Sequence, residues 1–236
     1  MLAIIVKIDD DIDMKYPGGK GKCFHQLINL MPPHTTYIEA YLGGGAVLRN
    51  KRPAQRTIAI DIDPAVIMAW QGMADSVELV EGDAVGYLQA FEFTGQELVY
   101  FDPPYVPSTR RKGRIYRYDY CDAQHEQLLT VVQALPCMAM ISGYASDMYD
   151  NYLSGWNKVK FMAQSQVGLR EEWVWFNFEP PSILHDVNHL GANFRERQTI
   201  KRRRERLYER IEDLDPAERH QLMIWMNEKF GEVRAI

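Results

Sequence analysis

Short apolar runs rich in Val, Ile and aromatic residues recur along the chain and alternate with helix-like stretches, the pattern of a parallel sheet covered by helices. Seven runs predict strands: Thr36–Ala40, Thr57–Ile60, Val77–Val80, Leu98–Phe101, Met138–Ile141, Val159–Met162 and Glu172–Phe178. Helices are predicted near residues 21–30, 45–51, 64–73, 122–134 and 146–153, with Asp122 as the N-cap of the fourth. From Pro180 to Asn193 the chain mixes Pro, Asn, His and Gly without a period, which predicts a linker. Two helices are expected after it, because Ile200, Leu207, Ile211 and Leu214 share one helical face and Asp215-Pro216 offers a cap followed by a first-turn proline. The expected architecture is an α/β fold, a seven-stranded and mostly parallel sheet between helices. Residues 1–13 read as an N-terminal extension, 14–179 as the principal domain, and 180–236 as linker and basic helical extension.

Composition narrows the classes. The 236 residues are 46% hydrophobic and 25% charged, enough for one sizeable core with a small appendage. No apolar run approaches the roughly eighteen residues that span a bilayer, and the apolar start Leu2 to Val6 runs into Asp9, Asp10, Asp11 and Asp13 instead of a cleavage site. A cytoplasmic location with no membrane partner is therefore expected. Cys23, Cys121 and Cys137 are odd in number and far apart, which supports neither a disulfide framework nor a metal site. The net charge of -5 excludes a uniformly basic binder of nucleic acid. Positive charge is nevertheless gathered in two places: five basic residues against Asp119 in residues 107–120, and seven against Glu196 and Glu205 in residues 195–206. Arg110, Arg111 and Arg114 in the first, with Lys201, Arg202 and Arg203 in the second, are the candidate nucleic-acid contacts; a solvated helix face explains the second cluster equally well.

Residues 37–47 read YIEAYLGGGAV: an apolar strand, Glu39 near its end, three glycines, then a helix start. Glycine at such a corner permits positive φ and lets backbone approach a ligand closely, as in loops that cradle nucleotide-type cofactors. The usual six-residue dinucleotide fingerprint is absent. About twenty residues on, the next strand ends at Asp61, where a carboxylate can accept hydrogen bonds from ribose hydroxyls. Asp83, after the third strand, is placed to receive an adenine amino group and equally well to cap a helix.

Residues 97–105 read ELVYFDPPY, an apolar strand that delivers Asp102, Pro103, Pro104 and Tyr105 to its carboxyl end, where open α/β sheets bind ligands. An aromatic amino group is a poor nucleophile because its lone pair is delocalised into the ring. The Asp102 carboxylate and the Pro103 carbonyl could take both amino hydrogens and so localise that pair, the consecutive prolines fixing the carbonyl's direction. Tyr105 would stack on the base.

Three motifs in order, Tyr16-Pro-Gly-Gly-Lys20, Ile38-Glu-Ala-Tyr-Leu-Gly-Gly-Gly-Ala46 and Asp102-Pro-Pro-Tyr105, resemble the DNA adenine methyltransferases typified by the Dam enzymes. The likeness continues through Tyr118, His125 and Leu128, through Ile141-Ser-Gly-Tyr144, and through Glu172-Trp-Val-Trp-Phe-Asn177, covering roughly residues 14–178. It implies a Rossmann-like fold and methyl transfer from S-adenosylmethionine to the amino nitrogen of adenine in double-stranded DNA, without a metal. It also implies a base flipped out of the duplex and a role of the restriction-modification kind. Tyr16, Gly18, Gly19, Lys20, Glu39, Gly43, Gly45, Asp61, Asp83 and Asp102 are the cofactor contacts it implies. Two features depart from the family: only eighteen residues separate Asp83 from Asp102, too few for the usual target-recognition domain, and the basic helices after Pro180 have no counterpart. Short or relaxed sequence recognition follows from the first, and a homodimer through the C-terminal helices is a further expectation. Cytosine or RNA as the methyl acceptor, or a DNA-binding relative without activity, are the alternatives. His125 reads as a packing or hydrogen-bonding residue.

Overall fold

The computed structural model describes residues 20–21, 23–72, 76–110, 117–165 and 168–231. The elements, in chain order, are α1 (Phe24–Ile28), β1 (Thr36–Glu39), α2 (Ala46–Asn50), β2 (Arg56–Asp61), α3 (Pro64–Trp70), β3 (Glu78–Glu81), α4 (Ala84–Ala90), β4 (Glu97–Phe101), a 3-10 turn (Pro107–Thr109), α5 (Asp122–Ala134), β5 (Met138–Gly143), α6 (Asp147–Tyr152), β6 (Asn157–Ser165), β7 (Gly168–Phe176), α7 (Phe194–Glu212) and α8 (Pro216–Phe230). All seven expected strands form, with ends shifted by a few residues. They build one sheet in the order β3-β2-β1-β4-β5-β7-β6, parallel except for β7, which runs antiparallel to both neighbours.

Alternation along the strands divides the core in two. Tyr37, Ala59, Leu98, Tyr100 and Met140 point to one face, under α1, α2 and α3; Ile38, Ile58, Ile60, Val99, Phe101 and Ile141 point to the other, under α4, α5 and α6. Both faces are covered, so the central strands read as continuous apolar runs. The chain leaves β1 towards β2 and β3, then returns to β4 on the other side of β1. The carboxyl ends of β1 and β4 therefore flank the topological switch point, the usual ligand crevice of an open α/β sheet.

Two helices differ from expectation. The fourth strand is preceded by α4, which the apolar pattern did not announce; Asp83 is its N-cap, accepting the Gly86 N–H at 2.8 Å. Cys121, not Asp122, caps α5: the Gln124 side chain accepts the Cys121 N–H at 3.0 Å, and Asp122 becomes a first-turn acid.

The chain divides into two compact units at Asp186/Val187. The first retains part of the expected linker: His185 and Asp186 are buried, His185 stacks on His34 with centroids 3.8 Å apart, and Asp186 accepts the Arg52 N–H. The second consists of α7, capped by Asn193, and α8, capped by Asp215 with Pro216 at its start. Neither helix buries a side chain fully, and Leu207, Tyr208, Met223, Ile224, Trp225, Met226 and Phe230 are exposed. Among the described residues no helix is long and apolar enough to cross a membrane.

Candidate active site

The glycine corner is built on left-handed backbone. Gly43 and Gly45 have φ of 45° and 56°, and Gly45 precedes α2 directly. A side chain at Gly45 would be strained twice, since an ideal Cβ would lie 2.1 Å from Cζ2 of the buried Trp70. Trp70 in turn donates its indole N–H to the Gly43 carbonyl at 3.1 Å. Asp61, at the end of β2, anchors the same corner: its carboxylate accepts the Gly43 N–H at 2.8 Å and the Asp63 N–H at 2.9 Å. Burial raises its pKa against those hydrogen bonds. A carboxylate offers about four lone-pair sites, so acceptor capacity remains on Asp61 for a hydroxyl donor.

Beyond the corner lies an open cavity lined by Lys20, Glu39, Gly43 to Gly45, Asp61, Asp102, Pro104 and Tyr118 among others. Glu39 is buried and accepts the Tyr37 hydroxyl at 2.8 Å. Desolvation pushes its carboxyl up to about 8 in spite of that bond, so at neutral pH it is largely protonated and can itself donate.

Asp102 leaves β4 into this cavity and is held by three hydrogen bonds from two side chains. The Lys20 ammonium donates to both its oxygens, at 2.6 and 2.8 Å, and the Ser142 hydroxyl donates to Oδ1 at 3.0 Å. Lys20 also donates to the Tyr105 hydroxyl at 2.6 Å, and Tyr105 hydrogen-bonds Glu172 in turn. Glu172 Oε2 approaches the ammonium to 3.5 Å. Burial alone would lower the Lys20 pKa; Asp102 and Glu172 override it and hold the ammonium well above the usual lysine range. Glu172 moves up, burial outweighing its attraction to Lys20.

The structure thus brings Lys20, Glu39, Gly43, Gly45, Asp61 and Asp102 around one cavity, and Asp83 touches its rim through the Tyr120 hydroxyl at 3.3 Å while capping α4. Tyr16, Gly18, Gly19, Arg111 and Arg114 lie outside the described residues. Tyr105 is placed differently from a free stacking platform: it is 5% exposed, edge-on to Tyr144 with centroids 4.3 Å apart, and its hydroxyl faces Lys20. Tyr118, 39% exposed, is the accessible aromatic of the cavity. Arg110 is a correction to the expected DNA contacts. Its side chain is buried, forks onto both Asp119 oxygens and donates to the Tyr105 carbonyl, so it braces the loop after β4 instead of facing phosphates. Lys201, Arg202 and Arg203 are exposed along α7. His125 is buried against the Tyr149 hydroxyl at 3.0 Å, and desolvation lowers it to about 4, as suits a neutral packing residue.

Sequence reasoning gave no role to Ser142 or Glu172. Ser142 sits inside Ile141-Ser-Gly-Tyr144 but carried no chemistry until β5 was seen beside β4. Glu172 shares the buried phase of β7 with Val174 and Phe176, and an acid in an apolar phase was the available signal. Among the described residues no group of three or more His, Cys, Asp or Glu is placed to hold a metal.

Residues 16–84 match the model of the D12 class N6 adenine-specific DNA methyltransferases, so the likeness carried by the motifs holds over that segment. No curated protein matches the chain. Among solved structures, an rRNA methylase of Streptococcus thermophilus is similar at 13% identity and a TM-score of 0.45, covering 65% of this chain and 93% of that one. Precorrin 8w decarboxylase of Methanobacterium thermoautotrophicum is similar at 14% and 0.43, covering 69% and 93%. Precorrin-6y C5,15-methyltransferase of Geobacter metallireducens is similar at 12% and 0.43, covering 66% and 86%.

Proposed function

We propose that this chain, matched over residues 16–84 by the adenine-specific DNA methyltransferase model, transfers a methyl group from S-adenosylmethionine to the amino nitrogen of adenine in DNA, with short or relaxed sequence recognition. The observation that carries the reading is the placement of Asp102 on the same cavity as the Gly43–Gly45 corner, at the switch point of the sheet.

The residues present fit that cofactor. The left-handed glycines leave a corner free of side chains, Asp61 keeps lone pairs for ribose hydroxyls, and Glu39 has a proton to donate. Gly43 and Gly45 would face the methionine end. When bound, the cofactor supplies an electrophilic methyl group on a sulfonium. Everything else falls to the chain. Asp102 and the Pro103 carbonyl accept the amino hydrogens, which returns the nitrogen lone pair from the ring, and Asp102 is the nearest ionised acceptor for the proton the nitrogen then sheds. Lys20 and Ser142 fix the carboxylate's direction. A base must leave the duplex to reach them, at a cost of a few kcal/mol that stacking on an accessible ring such as Tyr118 offsets in part. Arg202 and Arg203 would hold phosphates, and phosphate contacts position without reading sequence.

The test is methyl transfer from labelled S-adenosylmethionine to DNA, followed by base analysis. N6-methyladenine scattered over short or varied contexts is expected, with a loss on the order of a hundredfold or more in Asp102→Ala. Activity of Asp102→Ala within about threefold of wild type would remove Asp102 from the chemistry. Label on cytosine or only on RNA would reassign the substrate, and methylation at one long site would refute relaxed recognition.

A further inference from the structure

The ammonium of Lys20 is shared unequally between two buried carboxylates. Asp102 Oδ1 takes Lys20 at 2.6 Å and Ser142 at 3.0 Å, and Oδ2 takes Lys20 at 2.8 Å. Its acceptor capacity is nearly filled before any substrate arrives. Glu172 is in the opposite condition. It is 5% exposed, and its Oε2 has no hydrogen bond of good geometry, its one contact being the same ammonium at a long 3.5 Å. A buried carboxylate oxygen without a donor is costly, and such groups are seldom kept by packing alone. Glu172 is also fixed in place, on a strand paired on both sides and bonded to Tyr105, which itself touches Lys20.

Resting on the methyltransferase reading, we propose that Glu172 is a positioning residue that draws Lys20 off Asp102 when a base amino group enters, so that Asp102 is released to accept the amino hydrogen. The ammonium has under an ångström to travel, from 3.5 Å to the ordinary length of about 2.8 Å for a charge-assisted hydrogen bond. No charge enters or leaves: two carboxylates and one ammonium remain. Tyr105, bonded to Lys20 on one side and Glu172 on the other, follows the same displacement, which connects the last residue of the Asp102-Pro-Pro-Tyr105 loop to the exchange. In the resting arrangement Lys20 protects the Asp102 charge; in the loaded arrangement the incoming amino group takes over part of that task, and Glu172 receives the donor it lacks.

Glu172→Gln keeps the size and the hydrogen bond from Tyr105 but removes the charge that attracts Lys20. Single-turnover methyl transfer to DNA should slow by about 10–100-fold, the range seen when a group orienting a catalytic ligand is lost. Dissociation constants for S-adenosylmethionine and DNA should stay within about threefold of wild type, because Glu172 touches neither. Glu172→Asp, which restores the charge on a shorter arm, should recover part of the rate. Rates are to be normalised to folded protein by thermal unfolding, since a merely structural role lowers the folded fraction and leaves the rate per folded site unchanged. An active wild type with an equally active Glu172→Gln, or a loss fully accounted for by unfolding, overturns the role of Glu172 alone. A folded wild type that methylates no adenine overturns the substrate reading and this proposal together.

Discussion

Replacing Gly45 with alanine tests whether the glycine corner is as tightly built as its geometry says. Two costs add. At φ 56° an L side chain is in the left-handed region, which costs roughly 1–2 kcal/mol. The new methyl would also lie 2.1 and 2.6 Å from two Trp70 ring carbons and 3.1 Å from a Leu42 methyl, and overpacking of that kind costs typically about 1–3 kcal/mol. Together they come to about 2–5 kcal/mol, which for a unit of this size lowers Tm by roughly 4–20 °C. Gly72→Ala is the matched control: φ is 80° there too, but a Cβ meets nothing within 4 Å, so only the backbone cost applies. Differential scanning calorimetry of both variants separates the two contributions, and titration with S-adenosylmethionine should show weakened binding in Gly45→Ala but not in Gly72→Ala. Equal melting temperatures for the two variants would refute the claimed overlap with Trp70. Unchanged cofactor affinity in Gly45→Ala would refute the placement of the cofactor at this corner.

Burial raises Glu39 from 4.5 to about 8, so its contribution to stability is complete below about pH 4.5 and is lost as pH rises through about 8. Glu39→Gln should therefore gain stability relative to wild type as pH rises across that window, read as the difference in Tm between the two proteins; a difference that does not change with pH would contradict the assignment. Neutralising Arg202 and Arg203 together should weaken DNA binding in all sequence contexts and reduce the slope of log affinity against log salt by about 2. Arg110→Ala should instead lower Tm, because it removes the forked pair with Asp119 and unbraces the loop after β4, while leaving the salt slope as it was. A reduced slope in Arg110→Ala would return that residue to the DNA-facing set.

The fold was legible where periodicity and burial agree. Strands such as Leu98–Phe101, covered on both faces, leave an unbroken apolar run, whereas the edge strands β3 and β6 carry shorter apolar stretches between charged or polar residues. Helix α4 was hidden because its seven residues offer only two turns of pattern, with a glycine inside them. The glycine corner and Asp102 could be read locally, since each is a short motif at a strand end. The partners of Asp102 could not. Lys20 is 82 residues from it and Ser142 40 residues from it in sequence, and only the pairing of β4 with β5 brings the serine beside it. Arg110 was misjudged for the same reason: a basic cluster in sequence says nothing of which member finds a carboxylate nine residues on.

The indole of Trp70 closes off the space beside Gly45 and donates to the Gly43 carbonyl, and those two roles give it an optical one. Its ring is fully buried, and its N–H is bonded to the carbonyl of Gly43, so its emission responds to a loop peptide that borders the cavity. A ligand that tilts that peptide changes the polarity and hydrogen bonding of the excited ring without touching it. The chain thus carries an intrinsic fluorophore wired to its own glycine corner, whose signal can be isolated by difference against a Trp70→Phe protein, and binding at the corner can be sought in real time with no label and no turnover.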